Sequence, residues 1–161
     1  MGRQGWWAGA VLLTLLLPLQ ARATLFNFSI PLSGANEVLP NVGDPDGFGV
    51  ANITIDDSTA PFPTISWNIT VGNIALPPTG AHIHQGAVGV NGPVRIDFNA
   101  QLTGSGLQDA DLVGVLAQPS GWYVNVHNAS FPGGAIRGQV PEPTTALLLA
   151  GGLALLARRR A

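Results

Sequence analysis

The 161-residue chain has no cysteine. That excludes disulfides, thiol catalysis, iron–sulfur clusters and cysteine-ligated zinc. It also has no lysine, and between Thr24 and Val140 the only basic residues are Arg95 and Arg137. Eight acids stand against them: Glu37, Asp44, Asp46, Asp56, Asp57, Asp97, Asp109 and Asp111. This stretch therefore carries a formal charge of −6, which the whole-chain value of −2 conceals because five of the seven arginines are terminal. A nucleic-acid partner requires a basic footprint, and none exists. There is no P-loop and no dinucleotide fingerprint, and neither Ser105 nor Ser120 sits in a G-x-S-x-G turn. With no nucleophile beside a base, the chain reads as non-enzymatic.

The two ends differ from the middle. Met1 to Ala23 has Arg3, an apolar run from Trp6 to Leu17, a break at Pro18 and an A-x-A site at Ala21-Arg22-Ala23. That is the order of a secretory signal, residues 1–23, with an uncleaved anchor as the alternative. The apolar run is short for a span, which needs roughly 20 residues. At the other end Pro141, Glu142 and Pro143 precede an apolar run, Thr144 to Ala157, and then Arg158, Arg159 and Arg160. The prolines stop any preceding element, and the arginines predict a cytoplasmic end. This order resembles the PEP-CTERM sorting tail, here residues 141–161. The resemblance implies export in a Gram-negative bacterium and transit of the periplasm and inner membrane. It implies a hydrophobic helix that holds the chain in the membrane before processing by an exosortase-type enzyme. Delivery to the cell surface or extracellular matrix would follow. A simple membrane anchor is the alternative.

Residues 24–140 remain as one domain, long enough for a core without disulfides. Its pattern has period two. Phe26, Phe28 and Ile30 alternate with Leu25, Asn27 and Ser29. Phe48, Val50, Ile53 and Ile55 are candidate core residues of a second strand, and Ile65, Trp67, Ile69 and Val71 share one face of a third. Gly34 to Gly47 is dense in turn residues. Its Asp44 and Asp46 lie in D-P-D-G, which lacks the later ligands of a calcium loop and reads as a turn. Strands are also expected at His82–Ile83, Val94–Phe98, Trp122–His127 and Ile136–Val140. Leu107 to Gln118 breaks the alternation and predicts a short helix or helical turn, with Asp109 as its cap. Many short strands between turns predict an all-β sandwich or barrel.

The chemistry-bearing residues are three histidines. His82 and His84 are spaced His-x-His, so on a strand they share a face. His127 shares a face with Tyr123 and Asn125, while Val124 and Val126 point to the core. Three imidazoles suit copper or zinc. The alternative is hydrogen-bonded strand residues that fix a turn. Asn125 would orient an imidazole or satisfy loop backbone. Arg137 and Asp97 would form an ion pair beneath the site or remain two solvated charges.

Three segments carry a family resemblance: GANEV (Gly34 to Val38), AHIHQGAVGVNGPV (Ala81 to Val94) and WYVNVHNASFPGGAIRGQV (Trp122 to Val140). Together they resemble the CHRD domain. The resemblance implies a Greek-key β-sandwich, immunoglobulin- or superoxide-dismutase-like. It marks Glu37, His82, His84, Tyr123, Asn125, His127 and Arg137 as family-typical polar positions. Ala135 departs from it, standing where the family commonly has Glu. A dismutase activity would need more histidines than these three, and a disulfide. The expectation is a surface or matrix scaffold that binds a polysaccharide or another protein. The alternative is a copper- or zinc-binding protein using the three histidines.

Overall fold

The computed structural model describes residues 24–142. The signal segment, Pro143, the C-terminal hydrophobic helix and Arg158 to Arg160 lie outside the described residues. Among the described residues no helix is long and apolar enough to cross a membrane.

Eight strands follow in order: β1 (Leu25–Ser33), β2 (Phe48–Asp56), β3 (Thr64–Gly72), β4 (Gly80–Gln85), β5 (Val94–Asp97), β6 (Thr103–Gln108), β7 (Trp122–His127) and β8 (Ile136–Gln139). One short helix, α1 (Leu112–Ala117), precedes β7. All pairings are antiparallel, in the order β5-β4-β7-β8-β1-β2-β3-β6. The seam in this sheet is β8 to β1, where Ser33 opposite Arg137 is the single aligned pair. There Gly138 lies so close to β1 that a Cβ would come 2.3 Å from the Pro31 carbonyl oxygen. The sheet curls at this seam into two four-stranded halves. β6 returns beside β3 and β7 returns beside β4, each skipping two strands, which are Greek-key crossovers. The fold is an all-β sandwich, as the sequence pattern predicts.

The core lies between the halves. Phe28, Ile30, Ile53, Ile55, Ile65 and Ile69 come from one side, and Ile83, Ile96, Val124, Val126 and Ile136 from the other. β-branched side chains dominate because they pack well on a pleated face. Trp67 stacks on Phe98 at 4.3 Å between ring centroids, and its indole N–H donates to the Gln101 carbonyl at 2.9 Å. That contact ties β3 to the segment after β5.

Three sequence expectations are corrected. Phe48 and Val50 are exposed, because the core face of β2 is set by Ala51, Ile53 and Ile55, and strict alternation puts even-numbered residues outside. Leu107 belongs to β6, a strand whose Thr-Gly-Ser-Gly start gives no hydrophobic alternation. The helix is therefore shorter than Leu107 to Gln118. Asp109 does not cap it directly; its Oδ1 accepts from the Asp111 N–H at 2.8 Å, just before the helix. The Asp44 turn is present, with the Gly47 N–H donating to the Asp44 carbonyl at 3.1 Å.

Ile83 is fully buried, whereas Val113 on α1 is 55% exposed. Ile83→Ala should cost about 2–5 kcal/mol in urea unfolding. Val113→Ala should stay within about 0.5 kcal/mol.

Candidate metal centre

The half-sheet β5-β4-β7-β8 has two faces of opposite character. Ile83, Val124, Val126 and Ile136 point into the core. The other face lies beneath the loops. Register sets its rows: His84 opposite Tyr123 opposite Gln139, then His82 opposite Asn125 opposite Arg137, then Gly80 opposite His127. The period-two spacing thus brings all three histidines together. Ring centroids are 5.1 Å apart for His82 and His127, 5.6 Å for His82 and His84, and 6.0 Å for His84 and His127. One ligand nitrogen from each lies within 4.8 Å of the others. An ion about 2.1 Å from each nitrogen needs pairs no more than about 4.2 Å apart, so small ring rotations would complete the site.

Two of the rings have one nitrogen hydrogen-bonded elsewhere. His84 Nδ1–H donates to the Gly92 carbonyl at 3.0 Å, and His127 Nδ1–H donates to the Pro132 carbonyl at 3.0 Å. A carbonyl only accepts, so both rings carry their proton on Nδ1. His82 Nε2 faces the Asp97 carboxylate at 3.5 Å. The nitrogens left over are His82 Nδ1, His84 Nε2 and His127 Nε2, and all three are buried without a hydrogen-bond partner. Three buried nitrogens are therefore left with no donor to meet them. Burial lowers the pKa of all three rings, that of His84 to about 4, so they are neutral at pH 7. Neutral, oriented imidazoles with the second nitrogen on a carbonyl or carboxylate are the chemistry of a copper or zinc ligand set. Three protein ligands leave a fourth position open.

The loops that supply these carbonyls are held by the remaining polar residues. Tyr123 stacks on His84 at 4.7 Å, and its hydroxyl accepts from the Gly92 N–H at 3.1 Å. Gly92 has no room for a side chain: a Cβ would lie 1.7 Å from the Gln85 carbonyl oxygen. Arg137 is 2% exposed, packs its guanidinium 3.4 Å from the Tyr123 ring centre and donates to Val90 and Ala87 carbonyls and to Asn91 Oδ1. Neither alternative holds for Arg137, which is neither paired with Asp97 nor solvated. Arg137 is spent on the Gln85–Pro93 loop and on Tyr123, and Asp97 faces His82. Asn128 is fully buried, and its Oδ1 accepts from the Ser130 and Phe131 N–H groups, shaping the loop that presents the Pro132 carbonyl. Sequence reasoning missed Gly92, Asn91, Asn128 and Pro132. The Gly-Pro and Asn-x-Ser turn signals are the only local hints of them.

Asn125 sits between Tyr123 and His127, with its Oδ1 buried and unpartnered. Glu37 lies beside it: a Cβ on Gly134 would be 2.4 Å from Glu37 Oε1 and 2.7 Å from Asn125 Nδ2. Burial pushes the Glu37 carboxyl up to about 7, against the opposing pull of Arg137 and Asn125. Both its oxygens are buried without a completed hydrogen bond. Pro141 and Glu142 lie away from the histidine rows at the end of the domain, where Glu142 Oε1 accepts from the Ser120 N–H at 3.3 Å.

The family model described as "CHRD domain" matches residues 28–140, and that described as "PEP-CTERM protein-sorting motif" matches residues 139–161. No curated protein and no solved structure matches the chain.

Opposed titrations follow for the metal-free protein. The imidazoles resist protonation in the fold, so their contribution to stability is full above about pH 6.5 and is lost as pH falls toward 4. Glu37 has the opposite sign. Its contribution is full below pH 4.5 and is lost as pH rises through about 7. Urea midpoints measured from pH 4 to 8 should show His84→Gln flattening the acid limb. Glu37→Gln should remove the decline between pH 5 and 7.5.

Proposed function

We infer the function from one premise: the chain belongs to the CHRD domain family. It also carries the PEP-CTERM motif, which marks a protein exported and sorted to the cell surface of a Gram-negative bacterium through an exosortase. Neither family is an enzyme family. Within that frame we propose a non-enzymatic, surface-delivered protein that binds copper or zinc through His82, His84 and His127. Residues 1–23 would act as its signal peptide, and residues 141–161 as the segment held in the membrane until processing. The single observation that carries the metal reading is the convergence of three buried, unpartnered imidazole nitrogens. A turn-fixing role accounts for the Nδ1 atoms of His84 and His127, which bond to loop carbonyls, but gives the opposite nitrogens nothing to do. Tyr123 and Arg137 hold the Gly92 loop, and through it the ring of His84. Asn125 and Glu37 lie in the same layer, and burial pushes the Glu37 carboxyl up to about 7. Scaffolding through an extracellular polysaccharide or protein is compatible with this role and does not require the metal.

Residues 24–142, stripped of metal, should bind Cu²⁺ more tightly than Zn²⁺ in calorimetric titration, following the general order for nitrogen sites. His84→Ala and His127→Ala should each weaken binding by about tenfold or more. Binding that survives both substitutions, or no binding by the unsubstituted domain, sinks the metal reading.

A further inference from the structure

We propose that the outward face of β1, β2 and β3 binds a neutral, hydroxyl-rich polysaccharide. This face belongs to the opposite half of the sandwich from the histidines and does not depend on them. Strand register builds a small grid there. Asn27 lies opposite Thr54, and Thr54 opposite Ser66; Ser29 lies opposite Asn52, and Asn52 opposite Asn68. Thr103 on β6 extends the second row beside Asn68. With strands about 4.8 Å apart and alternate residues about 6.8 Å apart, the six side chains tile roughly 10 by 7 Å. With Phe28, Ile53 and Trp67 they line a shallow trough of about 450 Å³.

The grid is open for hydrogen bonding. Asn27 and Thr54 bond each other at 2.7 Å. Ser29, Asn52, Ser66 and Asn68 make no side-chain hydrogen bond among the described residues, and Asn27, Ser29, Asn52 and Asn68 are exposed. An amide carries both donors and an acceptor, and a hydroxyl does both as well. Such a surface complements a polymer of hydroxyl groups, whose every oxygen also donates and accepts.

Charge and composition exclude the other occupants. No charged side chain stands in either row, and the nearest acid on this face of β2 is Asp56 at the strand end. A domain at −6 without lysine repels an acidic polymer. A protein partner would need aromatic, methionine or arginine anchors; the two rows hold none, and the exposed aromatic of this face, Phe48, lies beyond them at the start of β2, over Gly72. Asparagine is also depleted in strands, yet Asn27, Asn52 and Asn68 occupy mid-strand positions on three adjacent strands. Repeated departure from strand propensity in register marks a surface kept for contact. The two rows themselves offer only hydrogen bonds, and avidity along a long chain supplies the retention.

The test is retention of the full chain, in detergent, on columns of insoluble neutral glucan, mannan and galactan, with an anionic polysaccharide column alongside. At least one neutral polymer should retain it, independently of salt. The Asn52→Ala, Asn68→Ala double variant should lose about tenfold in retention at an unchanged thermal midpoint. His84→Ala should be retained like the unsubstituted chain, so failure of the metal reading leaves this result intact. Equal retention of the double variant overturns the proposal. So does retention only on the anionic column, or on none. Sugar found covalently attached to these asparagines in the native protein also overturns it.

Discussion

A buried polar group must find a partner, and on one face of this sandwich the groups left over are almost all acceptors. His82 Nδ1, His84 Nε2 and His127 Nε2 are buried with no hydrogen-bond partner, beside Asn125 Oδ1 and the buried Glu37 carboxyl. Leaving one such group unsatisfied costs about 1–3 kcal/mol. Three such nitrogens in one layer are what a cation resolves, through direct ligation. Much of the polar architecture follows from this. The Gly92 and Pro132 carbonyls take the other nitrogens of His84 and His127, Tyr123 and Arg137 fix the Gly92 loop, and Asn128 fixes the Pro132 loop.

Strand faces were legible wherever apolar alternation was unbroken. Ile65 to Val71 and Trp122 to His127 show their faces directly, and the second run placed His127 beside Asn125 before any pairing was known. β6 was hidden because Gly104 and Gly106 interrupt its pattern, and Gly106 adopts φ +72°. The pattern of β2 misleads at one end because Phe48 and Val50 are apolar yet stand on the outer face. The meeting of the histidines depends on register. His-x-His fixes two rings on one strand, but only the β4–β7 pairing carries them to His127. The partners of the rings are backbone carbonyls, which no side-chain pattern reveals. Arg137 illustrates the same gap: its charge suggests a pair with Asp97 or a solvated position, and the fold gives it three loop acceptors and an aromatic ring instead.

The two halves of the sandwich share one core and turn different chemistry outward. One half buries titratable rings under loops. The other exposes uncharged amides and hydroxyls on a bare sheet. A single Greek-key domain can thus carry an enclosed site and an open one without either disturbing the other, because the hydrophobic layer between them is common to both. Sorting to the cell surface sets both in contact with the surroundings of the cell.

The claim on which most rests is that three imidazole lone pairs face one point. Long-range nitrogen–proton correlation spectra of the histidine rings, recorded at pH 7 without metal and again with one equivalent of Zn²⁺, read this directly. The structure predicts protons on His84 Nδ1 and His127 Nδ1 before addition. On addition, shifts should be confined to the opposite nitrogen of each ring. Protons on His84 Nε2 or His127 Nε2, or zinc-induced shifts at the nitrogens that face Gly92 and Pro132, would contradict it.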